Sequence, residues 1–151
     1  MSLLTAPGTR TKRVIGIAEM AVSNDPNDQL VTYALGSCIG VALWDPEARV
    51  GGLLHAMLPT AELDRERAMR NPERFVDTGV PALFKACYRL GAQKHRLIVR
   101  VAGGARMVGS TGNDTFQTGK RNLLMFKKLL WKNGVLLKGE DTGDSVSRTV
   151  T

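Results

Sequence analysis

Cys38 and His55 are two reactive side chains at a spacing that a β-hairpin can bring together. A free thiol titrates near ~8.5, so little of it is thiolate at neutral pH. An imidazole facing it can take the proton, leaving a nucleophilic sulfur and an imidazolium able to protonate a departing amine. The chemistry open to such a pair is acyl transfer through a thioester. The alternative is ordinary packing, because cysteine is among the most buried residue types. A working pair also needs a third polar group to hold the imidazole in the useful tautomer, and Thr32 is the nearest upstream candidate. Backbone amides at Gly36, Ser37 and Cys38, or at Gly103 and Gly104, are candidate donors to an oxyanion.

The elements that must position this pair are two apolar runs, Cys38–Trp44 and Val50–Leu58, around Asp45-Pro46-Glu47-Ala48. That tetrapeptide reads as a type I turn, with Asp first and Pro second. Centred between Pro46 and Glu47, it places Asp45 opposite Ala48, Val41 opposite Gly52, and Cys38 opposite His55. The two reactive residues would then share one face with Cβ atoms ~4.5–5.5 Å apart. Ile39, Val41, Leu43, Val50 and Leu54 would form a core stripe on the other face, and a one-residue slip would break both patterns. Gly36 and Gly40 flank Cys38 with little bulk, leaving room for a substrate side chain.

Around this hairpin, residues 1–10 read as a frayed arm. A strand is expected over Val14–Met20, weakened at Gly16, and another over Leu30–Leu35, with Ser23–Asp28 as a loop of turn formers. Residues 60–74 are charged and read as a loop or short exposed helix. Asn71-Pro72-Glu73 has the pattern of a helix start, followed at helical spacing by Val76, Val80, Leu83, Phe84, Cys87 and Leu90. Pro81 lies inside that run and predicts a kink or two shorter helices. Leu97–Ala102 reads as a strand closed by Gly103-Gly104. Thr118 reads as the cap of a second helix stopped by Gly134, before final strands at Val135–Lys138 and Ser147–Val150. Strands grouped early, then strand and helix in turn, predict an α+β layered sandwich in one domain over 1–151.

Two cysteines and two histidines cannot supply a four-ligand zinc site and a separate reactive pair. No metal or organic cofactor is required by the pair. Cys87 falls on an apolar helix face and reads as core, and His95, between Lys94 and Arg96, as a solvated loop residue. The net charge of +7 accompanies only eight aromatic residues (2 Trp, 2 Tyr, 4 Phe) that are not interleaved with basic clusters. That argues for attraction of an acidic protein partner rather than nucleic acid. Gly103-Gly104-Ala105-Arg106-Met107 lacks the Gly-Lys-Ser/Thr ending of a phosphate loop. No signal segment or bilayer-length apolar run is evident, so a soluble, cytoplasmic protein without direct membrane insertion is expected.

Thr32-Tyr33-Ala34-Leu35-Gly36-Ser37-Cys38, followed by Gly51-Gly52-Leu53-Leu54-His55-Ala56-Met57-Leu58-Pro59, resembles the chemoreceptor glutamine deamidase (CheD) family. Gly103–Met107, Gly119-Lys120-Arg121-Asn122 and Ser147-Arg148-Thr149-Val150 match in the same order. The resemblance implies hydrolysis of selected glutamine amides on the cytoplasmic helical region of methyl-accepting chemotaxis receptors, with Cys38, His55 and Thr32 as catalytic residues. It also implies mixed β-sheets flanked by helices, similar to the cytotoxic necrotizing factor catalytic domain, and in some bacteria a CheC-type phosphatase as partner. Some members are credited with receptor methylesterase activity. The pattern departs at Asp144, where relatives often carry a second glycine after Gly143; this touches the tail rather than the reactive pair. Two other readings stand beside catalysis: a binding module that docks receptor or phosphatase without turnover, and a thiol redox sensor at Cys38.

Overall fold

Apolar alternation in the strands and 3.6-residue periodicity in the helices sort this chain into layers. The computed structural model describes residues 9–107 and 117–151. A three-stranded sheet holds β1 (Thr11–Val14), β3 (Asp28–Leu35) and β8 (Arg148–Val150), in that order. A five-stranded sheet runs in the order β2 (Glu19–Ser23), β5 (Val50–Ala56), β4 (Ile39–Asp45), β6 (Ile98–Gly103), β7 (Leu137–Thr142). β1–β3 and β6–β7 are parallel pairs and the others antiparallel, so both sheets are mixed. The helices α2 (Val76–Arg89) and α3 (Thr118–Lys132) cover one face of the larger sheet, and β3 packs over the other. The expected α+β layered sandwich is what forms.

The two faces of the β4–β5 hairpin have different neighbours. Ile39, Val41, Leu43, Val50, Leu54 and Ala56 point to the helices and join Val80, Leu83, Cys87 and Phe126 in the main core. Gly52 belongs to that face, where a Cβ would sit 2.8 Å from Cys87 Sγ. Gly40 and His55, paired across the ladder, belong to the face under the small sheet. There a Cβ on Gly40 would meet Leu35 Cδ1 at 2.8 Å and Thr32 Cγ2 at 3.5 Å. Gly40 therefore makes room for β3 and not, as its bulk suggested, for a substrate.

The core stripe is as expected, but the register is shifted by two residues. Asp45 pairs with Val50 and Gly40 with His55, so Cys38 is not opposite His55. The cause lies in the turn. The Asp45 carboxylate is buried and accepts from the amides of Glu47 and Ala48, and also from Gln93 N and the Arg96 guanidinium. Held this way, Asp45 closes β4. The chain needs the four residues Pro46 to Arg49, with Arg49 left-handed (φ 55°), to return. A two-residue shift preserves which side chains share a face. It moves Cys38 off the ladder into the bend at residues 36–38.

Other boundaries also differ from the sequence expectation. The strand expected over Val14–Met20 is cut by a turn at Ile17-Ala18, with Ala18 at φ 60° and the Glu19 carboxylate accepting from Gly16 N. Asn71-Pro72-Glu73 opens a 3-10 turn (Pro72–Arg74), and α2 begins only after Phe75. Pro81 does not split α2, which is assigned as a single helix through it. Gln117, left-handed, takes the cap position of α3, and Thr118 is its first residue. Residues 60–74 hold the short exposed helix α1 (Arg65–Arg70) between 3-10 turns. Cys87 is buried and His95 exposed, as expected. Asp144 adopts φ 51°, a left-handed conformation that aspartate tolerates better than most residues. Most of the N-terminal arm lies outside the described residues. Among those described, no helix is long and apolar enough to cross a membrane.

Candidate active site

Thr32 reaches His55 from the other sheet, not from a neighbouring strand of the same one. Strict alternation along β3 would bury Thr32 and Ala34. Instead Ala34 is left-handed (φ 57°), pairing with β8 shifts between Thr32 and Leu35, and both of those residues face inward. Thr32 Oγ1 lies 2.7 Å from His55 Nδ1 and donates to Ile15 O at 2.7 Å. A hydroxyl has one proton, and this one goes to the Ile15 carbonyl. Towards the ring it can only accept, so Nδ1 carries hydrogen and Nε2 keeps a free lone pair. The turn that interrupts the expected first strand supplies that carbonyl, and Ala18 N from the same turn donates to His55 O.

His55 is 1% exposed, and its Nε2 has no hydrogen-bond partner among the described residues. Burial lowers its pKa from the ordinary 6.5, favouring the neutral ring. Cys38 is half-buried and keeps an exposed side. Burial raises its thiol, and its own amide and the Arg74 guanidinium oppose that rise in part. Both shifts favour a neutral thiol beside a neutral imidazole over a standing ion pair. Cys38 lies outside the ladder, whose last pair is Ile39 and Ala56, and its sulfur makes no hydrogen bond to His55 Nε2.

The Cys38 bend is tied down on three sides. Gly104 N donates to Cys38 O at 2.9 Å and Ala105 N to Gly36 O at 2.8 Å. At Gly103 (φ 100°) a Cβ would overlap the Cys38 carbonyl oxygen, so only glycine permits this approach. Asn122 Nδ2 donates to Ser37 O at 2.9 Å. Met107 packs over Gly36, its sulfur 3.0 Å from where a Cβ would be.

Thr32 and His55 are thus in direct contact, and Gly36, Ser37, Cys38, Gly103 and Gly104 meet in one bend. Gly104's amide is already engaged with Cys38 O and is not a free donor. Sequence reasoning did not single out Arg74 or Asn122. Asn122 stood in a recognised motif, but nothing in its spacing indicated a buried carboxamide. Arg74 gave no signal beyond its charge. Among the described residues no three of His, Cys, Asp or Glu are grouped as metal ligands.

A family model described as CheD chemotactic sensory transduction matches residues 57–151. A Syntrophus aciditrophicus protein named "Probable chemoreceptor glutamine deamidase CheD 1" is 54% identical, over 91% of this chain and 84% of its own length. A Solibacter usitatus protein named "Probable chemoreceptor glutamine deamidase CheD" is 47% identical, over 91% and 80%. Among solved structures, Neisseria meningitidis protein NMB0706 superposes with a TM-score of 0.50 at 10% identity, over 91% of this chain and 64% of its own. That last likeness is one of fold alone. The match to the family model and the identity to these relatives answer the question of kinship: this chain belongs to the CheD family.

Proposed function

We propose that the chain hydrolyses glutamine side-chain amides on methyl-accepting chemotaxis receptors, giving glutamate and ammonia, with Cys38 as nucleophile, His55 as proton carrier and Thr32 orienting the ring. The observation that carries this reading is the Thr32–His55 hydrogen bond at 2.7 Å, which leaves His55 Nε2 unprotonated and able to accept a proton. The names of the relatives supply the substrate.

In the first step the Cys38 sulfur attacks the amide carbon as its proton passes to His55 Nε2. The oxyanion that forms on the amide oxygen is met by amides of the Gly36–Cys38 bend; those of Ser37 and Cys38 donate to no backbone carbonyl among the described residues. The imidazolium then protonates the nitrogen, the C–N bond breaks, and ammonia leaves a γ-glutamyl thioester. Water attacks the thioester as His55 takes its proton. The C–S bond breaks, the sulfur regains that proton, and the glutamic acid side chain departs, giving up its own proton to the released ammonia or to solvent. Because the resting pair is neutral, proton transfer accompanies attack and does not precede it.

The test is incubation with receptor fragments and mapping of glutamine-to-glutamate conversion by mass spectrometry, for wild type, Cys38→Ala and His55→Ala. Conversion by wild type alone is expected. Equal conversion by all three removes the mechanism, and binding without conversion by wild type turns the protein into a docking module.

A further inference from the structure

Asn122 lies within α3, fully buried (0% exposed), where an unpaired carboxamide would be costly. Both hydrogens of its nitrogen are used: Nδ2 donates to Ser37 O at 2.9 Å and to Met57 O at 3.0 Å. The orientation of the amide follows from its partners, since two carbonyl oxygens can be satisfied only by the nitrogen. Ser37 immediately precedes Cys38, and Met57 follows the strand that carries His55.

The β4–β5 ladder ends at the pair Ile39 and Ala56. The carbonyls of Ser37 and Met57 therefore lie beyond its last rung, where the sheet no longer holds the two segments together. The carboxamide replaces the missing rung from the helix side. α3 is itself fixed against the bend: a Cβ on Gly119 would overlap the Ala105 carbonyl oxygen, and Ala105 N donates to Gly36 O. Cys38 thus sits in a closed loop of contacts running from Ser37 through Asn122, α3 and Ala105 back to Gly36. Asn122 Oδ1 is buried with no hydrogen-bond partner among the described residues, so the polar contacts this side chain makes there are its two donated hydrogens.

We infer that Asn122 is a positioning residue whose carboxamide, by tying Ser37 to Met57, sets the separation of Cys38 from His55. The inference rests on the reading of those two residues as the reacting pair. A residue that merely filled space would lower stability and leave the chemistry of each folded molecule unchanged. A positioning residue alters the reaction and the titration of the thiol.

The experiment compares wild type with Asn122→Asp, which keeps the shape but cannot donate twice, and Asn122→Ala. Three quantities are read: kcat and KM on receptor fragments, the pH profile of Cys38 alkylation by iodoacetamide mapped by mass, and the folded fraction. The expected result is a fall in kcat of about a hundredfold, the scale of a small misplacement of reacting groups, with little change in KM. The alkylation profile should differ from that of wild type, because the bend that carries the thiol is no longer held by the carboxamide. Wild-type kcat and an unchanged alkylation profile in either folded variant overturn the inference, as does a loss that only tracks the unfolded fraction. Should neither variant fold, the wild-type protein decides: the Asn122 side-chain amide resonances should shift when Cys38 is alkylated, and resonances that stay put overturn it. Cys38→Ala separates the two ideas. Activity retained there removes the pair itself, whereas an inactive Cys38→Ala beside wild-type-like Asn122 variants removes only the role of Asn122.

Discussion

Replacing Thr32 by valine keeps the shape of the side chain and deletes one oxygen. His55 Nδ1–H then loses its acceptor inside the protein, and the ring is free to adopt the tautomer with hydrogen on Nε2. Leaving that N–H unpaired should cost about 1–3 kcal/mol of stability. Activity should fall at least tenfold if His55 is the general base proposed above, since it loses its orienting partner. Thr32→Ser retains the oxygen and should recover most of both, read by denaturant melts and by glutamine conversion. His55 also leaves a mark on stability. Its ordinary pKa is 6.5 and burial lowers it, so below about pH 6.5 the unfolded chain binds more protons than the folded one. The stability held above that pH is lost as pH falls towards the lowered value. His55→Gln should show a flatter dependence across this window, and an equal slope in both proteins would place the titration elsewhere.

At the scale of elements, the β4–β5 turn is governed by Asp45. Burial by itself would push this carboxyl up. The amides of Ala48 and Gln93, the Arg96 guanidinium and the Glu47 amide outweigh it and hold the group at about 2. Its contribution is therefore present above the ordinary 3.8 and is lost as pH falls from there through about 2. Asp45→Asn removes the charge that meets Arg96 and turns a donor towards one of the amides. A loss of about 2–3 kcal/mol is expected. Asp45 ends β4 at the far end from Cys38, so conversion per folded molecule should be unchanged; a lower kcat in the folded variant would mean that the turn communicates with the site. The same element illustrates how a local reading can be right in kind and wrong in length. Asp and Pro do start the turn, but the left-handed Arg49 adds residues that no pairing rule could have supplied.

Across the whole molecule the charge of +7 is the property a partner meets first. Arg74 acts on the Cys38 thiol; exposed charges elsewhere on the surface affect encounter and not chemistry. With an acidic receptor fragment, kcat/KM should fall as salt rises while kcat holds steady, because exposed charges beyond ~10 Å are screened at 0.1 M. A kcat/KM indifferent to salt would assign recognition to apolar contacts. The layered build also explains why the pair lies where it does. Helices seal one face of the large sheet, and the small sheet closes the other over Gly40 and His55. Only the bend before β4, beyond the ladder's end, leaves a thiol within reach of solvent.

From the sequence alone came the reactive residue types, the core stripe of the hairpin, the layered α+β class and the place of Cys87 in the core. Each depends on periodicity or side-chain chemistry, which a chain carries locally. Tertiary structure decided the rest. It moved Cys38 off the ladder into the bend before β4, because a buried carboxylate fixed the turn. It brought Thr32 from the other sheet through a bulge at Ala34, and it placed Asn122 between two carbonyls far apart in the chain. Those outcomes turn on hydrogen-bond donors and acceptors that find partners only once separate segments are packed together, and no spacing of residues encodes which partner each will meet.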